Sequence, residues 1–400
     1  MKTNIITRQD YLEKVIPYID TPFIKVFTGV RHCGKSSILK MIAGKLQKDM
    51  SVQEDQIIRC NFDSLQYIDV TDKELFEDFY SKLSKDHKNY LFFEEIQSVN
   101  GWEKFINNII SNFNADIYMT SSQQFSENPD YIIFNVFPFS FKEYLILKSD
   151  MENAEEPKKE FENYIKTGGF PVVCLNSLSG EDADSAVRNI YNSIMFADVI
   201  KAGEVRKANQ LERVVKYVFS NVGQNVSAKG ISDYLKSKNI KVDNETVYNY
   251  LAMLEKSHLI YRCSRYDLKT KEVLKTQEKF YPADTILPES AGIHNEGSNA
   301  LMENVVYLEL GRRGYTIYAG KVNNNKICFV AEKDEEKIYI DFFEKGISEK
   351  DNNKKLKNLF EINDNYPKYI LGTDLYNNTN YKGIKIMHIA DFLVSENFAI

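Results

Sequence analysis

Residues 26–37 read Val26-Phe27-Thr28-Gly29-Val30-Arg31-His32-Cys33-Gly34-Lys35-Ser36-Ser37. An apolar segment suited to a strand runs into a loop with glycine at both ends, and Ser36-Ser37-Ile38-Leu39 opens a helix. Gly29, Gly34, Lys35 and Ser36 fill the pattern G-x-x-x-x-G-K-[ST] without a mismatch. In that pattern the glycines permit positive φ and close backbone approach, so that loop amides wrap a phosphate. The helix N-terminus adds partial positive charge. Gly29, Val30, Arg31, His32, Cys33, Gly34, Lys35, Ser36 and Ser37 are therefore expected to bind the phosphates of ATP. Lys35 is expected at the β- and γ-phosphates, with the Ser36 hydroxyl as a ligand to Mg²⁺.

Working outward, Asn89-Tyr90-Leu91-Phe92-Phe93-Glu94-Glu95-Ile96-Gln97 is an apolar run of strand length ending in two acids. A carboxylate at such a strand end can support Mg²⁺ and its neighbour can orient water, so Glu94 is assigned to the metal and Glu95 to catalysis. Further strands are expected at 56–62 and 116–120. The second ends in Ser121-Ser122-Gln123, where a polar side chain could sit between the acids and the γ-phosphate. Helices are expected over 9–18 and 71–86, and residues 152–160 read as a polar helix or loop. Phe134–Leu145 gives a strand, a proline break at Pro138 and a helix capped by Ser140. Alternating β and α units of this kind build a parallel sheet with helices on both faces.

The bulk composition adds limits. The 400 residues carry 43% hydrophobic and 27% charged side chains, ordinary for a globular chain. A net charge of −6 means that any nucleic-acid surface is a local patch. Five scattered cysteines, Cys33, Cys60, Cys174, Cys263 and Cys328, form no C-x-x-C pair, which argues against a disulfide framework or a zinc site. Met1–Arg8 lacks the apolar run of a signal peptide, and no run of 18 apolar residues occurs. A cytoplasmic address without membrane contact is expected.

The rest of the chain reads as two more modules. A long helix over 181–207 leads to helical segments at 211–221, 227–235 and 244–255, then β-prone stretches at 259–263 and 279–281. That order suits a winged helix-turn-helix, whose third helix can enter a major groove. Residues 256–281 hold seven Lys or Arg against three acids, so double-stranded DNA is a possible partner through residues 244–281, with Asn244, Tyr248 and Asn249 as base-reading candidates. From 286 to 400, a helix at 299–310 and strands at 316–319, 326–331, 337–343, 368–371 and 384–389 are expected, with helices at 349–362 and 389–394. This arrangement resembles restriction-type nucleases, which gather acids around Mg²⁺. Glu303 and Asp341 are the acids available. Cys328 and Phe343 stand where that resemblance implies an acid and a lysine, so the nuclease-like domain is expected to be inactive.

Taken together, Gly29–Ser36, Phe92–Gln97, Phe137–Tyr144 and Gly168-Gly169-Phe170-Pro171 resemble a prokaryotic family of AAA-type ATPases that carry a C-terminal domain of unknown function. The resemblance covers essentially the whole chain. It implies an α/β fold: an AAA-like P-loop NTPase parallel sheet with a helical lid (1–180), a linking helix and winged helix-turn-helix (181–285), and a small α+β restriction-nuclease-like domain (286–400). The family pattern has Asp where Glu94 stands and Arg where His32 stands, and it carries a Gly-Arg pair where this chain has Glu127-Asn128-Pro129-Asp130-Tyr131. Two readings follow: an ATP-binding, Mg-dependent ATPase acting as a nucleotide-controlled switch, or a nucleotide-holding DNA-binding or protein-interaction scaffold with little hydrolysis. An oligomer is possible, with Arg31, Arg188, Arg206 and Arg213 as candidate trans-acting arginines.

Overall fold

The computed structural model describes residues 7–64, 74, 77, 79–150, 156–176, 178–294, 299–323, 325–343, 349–374 and 378–395. Much of the helix expected over 71–86, and residues 152–155 of the expected polar segment, lie outside them. The chain divides into two compact units, Met1–Phe137 and Pro138–Ile400.

In the first unit, β1 (Ile24–Thr28), β2 (Ile57–Asn61), β3 (Asn89–Glu94), β4 (Ala115–Ser121) and β5 (Tyr131–Asn135) pair in parallel in the order β2-β3-β4-β1-β5. Every residue of β1 is buried, which is why the strand reads as a continuous rather than alternating apolar run. Leu91, Phe93, Ile117 and Met119 from the sheet pack with Phe105, Ile106 and Ile109 of the helix Trp102–Asn112. Those three helix positions recur at helical spacing, and burying each contributes roughly 1.5–3 kcal/mol. The β1–β4 pair also carries a fully buried Lys25–Asp116 ion pair. Tyr118 Oη at 2.8 Å and the Asp20 amide at 2.9 Å donate to the same carboxylate, which satisfies its remaining lone pairs.

The second unit opens with the helix Phe141–Asp150. Ser140 Oγ accepts from the Glu143 amide at 3.0 Å while the Glu143 carboxylate accepts from the Ser140 amide at 2.8 Å, a reciprocal capping box that starts the helix where the sequence predicts. Helix Gly180–Ser193 continues as a wider π-type winding over Ile194–Lys201, so the single helix expected to reach 207 ends six residues early. Helices Ala208–Ser220, Ala228–Ser237 and Asn244–Lys256 follow, the last two capped by Ser227 and Asp243 side chains. Next come β6 (Ile260–Asp267), β7 (Glu272–Pro282), β8 (Thr316–Val322), β9 (Asn325–Lys333), β10 (Glu336–Phe342), β11 (Lys368–Gly372), β12 (Thr379–Tyr381) and β13 (Ile384–His388). They form one sheet in the order β12-β13-β11-β10-β9-β8-β6-β7. Its parallel β6–β8 ladder joins segments on either side of residue 285, so the expected boundary there runs inside a single sheet. Helix Asn299–Arg312 lies between β7 and β8 in the chain, and helix Glu349–Phe360 between β10 and β11.

Gly168-Gly169 is fixed by packing. A Cβ on Gly168, at φ +71°, would meet Asp284 Oδ1 at 2.0 Å, and one on Gly169 would meet the Phe139 carbonyl at 2.3 Å. The Asp284 carboxylate accepts from the Gly169 amide at 2.7 Å. Burial pushes its pKa up to about 6, against the pull of the Gly169 and Ile286 amides. Because the folded chain then holds this proton more tightly than the unfolded one, the contribution is full below about pH 4 and is lost as pH rises through 6. In urea unfolding at pH 4 and 6.5, Asp284→Asn is expected to remove about 2–3 kcal/mol of the wild-type decline. Equal declines in both chains would contradict this.

Candidate nucleotide site

The loop after β1 is held by contacts that only certain residues permit. A Cβ at Gly29 would lie 2.0 Å from the Val136 carbonyl oxygen, so glycine alone fits there. His32, at φ +66°, and Gly34, at φ +105°, turn the chain through the left-handed region before the helix Lys35–Met50. The Cys33 thiol donates to the Val136 carbonyl at 3.3 Å. From the other side, buried Arg8 donates to the carbonyls of Cys33 and Phe137, both at 3.0 Å, with its guanidinium 4.5 Å from the Tyr11 ring. Among the described residues no side chain caps the N-terminus of helix 35–50.

Lys35 is 4% exposed and folds back over the loop. Its ammonium donates to the Gly29 carbonyl at 2.8 Å, the Val30 carbonyl at 3.2 Å and Ser122 Oγ at 3.1 Å, and it lies 3.5 Å from Glu95 Oε1. Glu95 accepts from Ser122 Oγ at 2.6 Å and Gln97 Nε2 at 2.8 Å, while Arg31 Nη2 stands 3.8 Å away. Burial pushes the Glu95 carboxyl up. The Lys35 and Arg31 cations and the two hydrogen bonds outweigh burial and hold it at about 2. Its backbone is left-handed at φ +54°, with the amide donating to Thr120 Oγ1 at 3.0 Å.

The strand order explains the cluster. β4 lies between β1 and β3, so Ser122, just past the end of β4, falls between the lysine of one neighbour and the glutamate of the other. Ser36 and Glu94 are both half-buried and offer hard oxygen donors suited to Mg²⁺. Among the described residues no three His, Cys, Asp or Glu side chains are grouped to hold a metal ion. Val30 is buried, and Ser37 is exposed on the first turn of the helix.

Three participants had no signal in the sequence. Arg8 precedes the first helix and reaches the loop only through folding. Asp63, past the end of β2, accepts from Arg31 at 2.6 Å, and Gln97 donates to Glu95. The Ser121-Ser122-Gln123 segment offers three polar residues that the sequence does not rank; the fold brings Ser122 to Lys35 and Glu95.

In the second unit the predicted residues separate. Along helix Asn244–Lys256, Asn244, Tyr248 and Asn249 are exposed, whereas Tyr250, Leu251 and Leu254 are core. Arg262 pairs with Glu255 and Glu278, and Lys279 with Glu303, so the basic segment presents less free charge than its composition implies. Glu303, Cys328 and Asp341 line a common cleft.

A family model described as an AAA domain matches residues 21–145, and one described as a domain of unknown function (DUF8612) matches residues 158–294. An uncharacterized protein of Haemophilus influenzae is 32% identical over 98% of this chain and 100% of its own length. An uncharacterized protein of Methanocaldococcus jannaschii is 31% identical over 86% of this chain and 76% of its own. The Walker-type ATPase of Pyrococcus abyssi aligns at 16% identity and a TM-score of 0.48, covering 73% of this chain and 97% of that one. The parallel sheet and its loop define an AAA-type P-loop domain. The chain belongs to the prokaryotic family, shared with the Haemophilus protein, that joins such a domain to a C-terminal domain of unknown function. No helix among the described residues is long and apolar enough to cross a membrane.

Proposed function

We infer that loop 29–37 binds Mg·ATP and that Glu95 activates water for its hydrolysis. The observation that carries this reading is the Lys35–Ser122–Glu95 cluster, in which the phosphate-binding cation and the base share one hydroxyl. A γ-phosphate offers Lys35 a stronger partner than two loop carbonyls and a carboxylate. As Lys35 and Arg31 turn toward phosphate, Glu95 loses the charges that keep it a weak base, and its pKa rises toward a range useful for accepting a proton. Ser122 remains in reach of Glu95 and orients it. Ser36 and Glu94 would hold Mg²⁺, which when bound neutralises phosphate charge. The nucleotide state then acts as a switch on the rest of the chain. The test is ATP hydrolysis with and without duplex DNA. ATP binding without turnover under either condition would favour the nucleotide-holding scaffold, with Glu94 in place of Asp and the missing Gly-Arg pair as its reason.

A second reading, contact with double-stranded DNA through residues 244–281, is supported by one arrangement. Val226 makes a single bridge to Glu278 beside the β6–β7 hairpin, so three helices and this hairpin follow in winged-helix order, with Tyr248 and Asn249 exposed on the third helix. Duplex binding by the full chain is expected to weaken at least tenfold between 50 and 200 mM salt. Absence of binding at the lower salt would remove this reading.

A further inference from the structure

Glu303 of helix 299–312, Cys328 of β9 and Asp341 of β10 open onto one cleft of about 550 Å³ in the second unit. A lysine from β7 stands among them. Lys279 Nζ lies 2.9 Å from Glu303 Oε2 and 3.6 Å from Cys328 Sγ, and Tyr281 Oη donates to the same glutamate oxygen at 2.9 Å. Burial disfavours the ammonium, and its contacts with Cys328 and the Glu303 carboxylate together more than restore it. Burial also keeps the Cys328 thiol neutral. Where a metal-dependent nuclease would place a divalent ion between acids, this chain has a built-in ammonium. Lysine can balance phosphate charge there, but it cannot act as a Lewis acid or lower the pKa of a bound water.

The rim sets the preference for anions. Arg265, Lys321, Lys326, Lys354 and Lys355 line the cleft with Lys279, and among the described residues its acidic lining is Glu303 and Asp341. Lys321 is paired with Asp267, and Lys355 lies 3.8 Å from Asp341. Lys326 and Lys354 are exposed, and neither has an ion-pair partner among the described residues. A loop with hydrogen-bonding capacity, Gly223-Gln224-Asn225, closes one side. It approaches so nearly that a Cβ on Gly223 would meet Glu303 Oε2 at 2.9 Å. In a chain of net charge −6, this concave concentration of cations with amide side chains is chemistry for a phosphate anion.

We propose that the cleft is a metal-independent binding site for a phosphate ester, carried either by a nucleic-acid strand or by a free nucleotide. It does not rest on the reading of loop 29–37. The test uses the full-length chain bearing Lys35→Ala, which silences the P-loop, in EDTA at 50 mM salt. A fluorescein-labelled oligonucleotide and a fluorescent nucleoside monophosphate are each titrated and followed by anisotropy. The oligonucleotide is expected to bind without Mg²⁺, and K326E/K354E, two exposed positions unconnected to the core, is expected to weaken it at least tenfold. The same sensitivity in the mononucleotide alone would assign the free nucleotide as the carrier. The oligonucleotide is single-stranded, which separates the cleft from the duplex reading of helix 244–256. The proposal is overturned if neither probe responds to K326E/K354E, or if binding requires Mg²⁺ and brings cleavage that Glu303→Ala abolishes.

Discussion

Lys35→Ala is expected to weaken ATP binding at least about 100-fold, a loss of about 2.7 kcal/mol, and to abolish hydrolysis. The side chain is nearly fully buried and ends where two loop carbonyls, a serine and a glutamate converge, so no other cation occupies that point. Arg31, the nearest alternative, is directed to Asp63 at 2.6 Å. Calorimetric titration with ATP measures the effect, and circular dichroism checks that the variant is folded. A variant that folds and keeps wild-type affinity would remove the nucleotide reading of loop 29–37.

Glu95→Gln is expected to do the opposite to binding and as much harm to turnover. The amide keeps the size and the hydrogen bond with Ser122, so the loop stays in place, but it cannot take a proton from water. Hydrolysis should fall roughly 10²–10⁴-fold. Affinity for ATP should be unchanged or tighter, because Lys35 no longer has to leave a carboxylate 3.5 Å away to reach phosphate. Single-turnover hydrolysis together with equilibrium titration separates the two effects. Hydrolysis at the wild-type rate would show that Glu95 is not the base and would shift attention to Glu94, one residue back on β3.

These two residues also mark how far the sequence reads. Lys35 was legible because its pattern is local: a glycine at each end of a short loop and a helix behind it satisfy phosphate chemistry within eight residues. Glu95 was legible from an apolar run that stops at two acids. Its pairing with Lys35 was not, since Lys35 follows β1 and Glu95 follows β3, two strands separated in the sheet by β4. Ser122 shows the same limit. Three polar residues at a strand end are equivalent in the sequence, and only the insertion of β4 between β1 and β3 gives one of them both partners. Arg8 is the extreme case, an arginine at the start of the chain that becomes a buried clamp on the loop and on Phe137.

The second unit divides along the same line. Helices 228–237 and 244–256 announce themselves through apolar residues at helical spacing, and the structure adds the Ser227 and Asp243 caps. Sheet partnership does not. The joining of β6 to β8 across residue 285 depends on hydrogen bonds between backbones far apart in the chain, which leave no mark in residue identity. Composition over 256–281 likewise overstated the free positive charge, because Arg262 and Lys279 are turned inward to Glu255, Glu278 and Glu303.

The sequence alone determined what depends on neighbours in the chain: the P-loop, the apolar run ending in Glu94 and Glu95, the Ser140 cap, and the family these share. The tertiary structure decided what depends on neighbours in space. It selected Ser122 as the link between cation and base, made Gly168 and Gly169 obligatory through Asp284 and Phe139, and set Lys279 among Glu303, Cys328 and Asp341. Capping and helical periodicity act over three or four residues, so they can be read along the chain. Strand order and long-range charge pairing act through contacts that form only once the chain has folded.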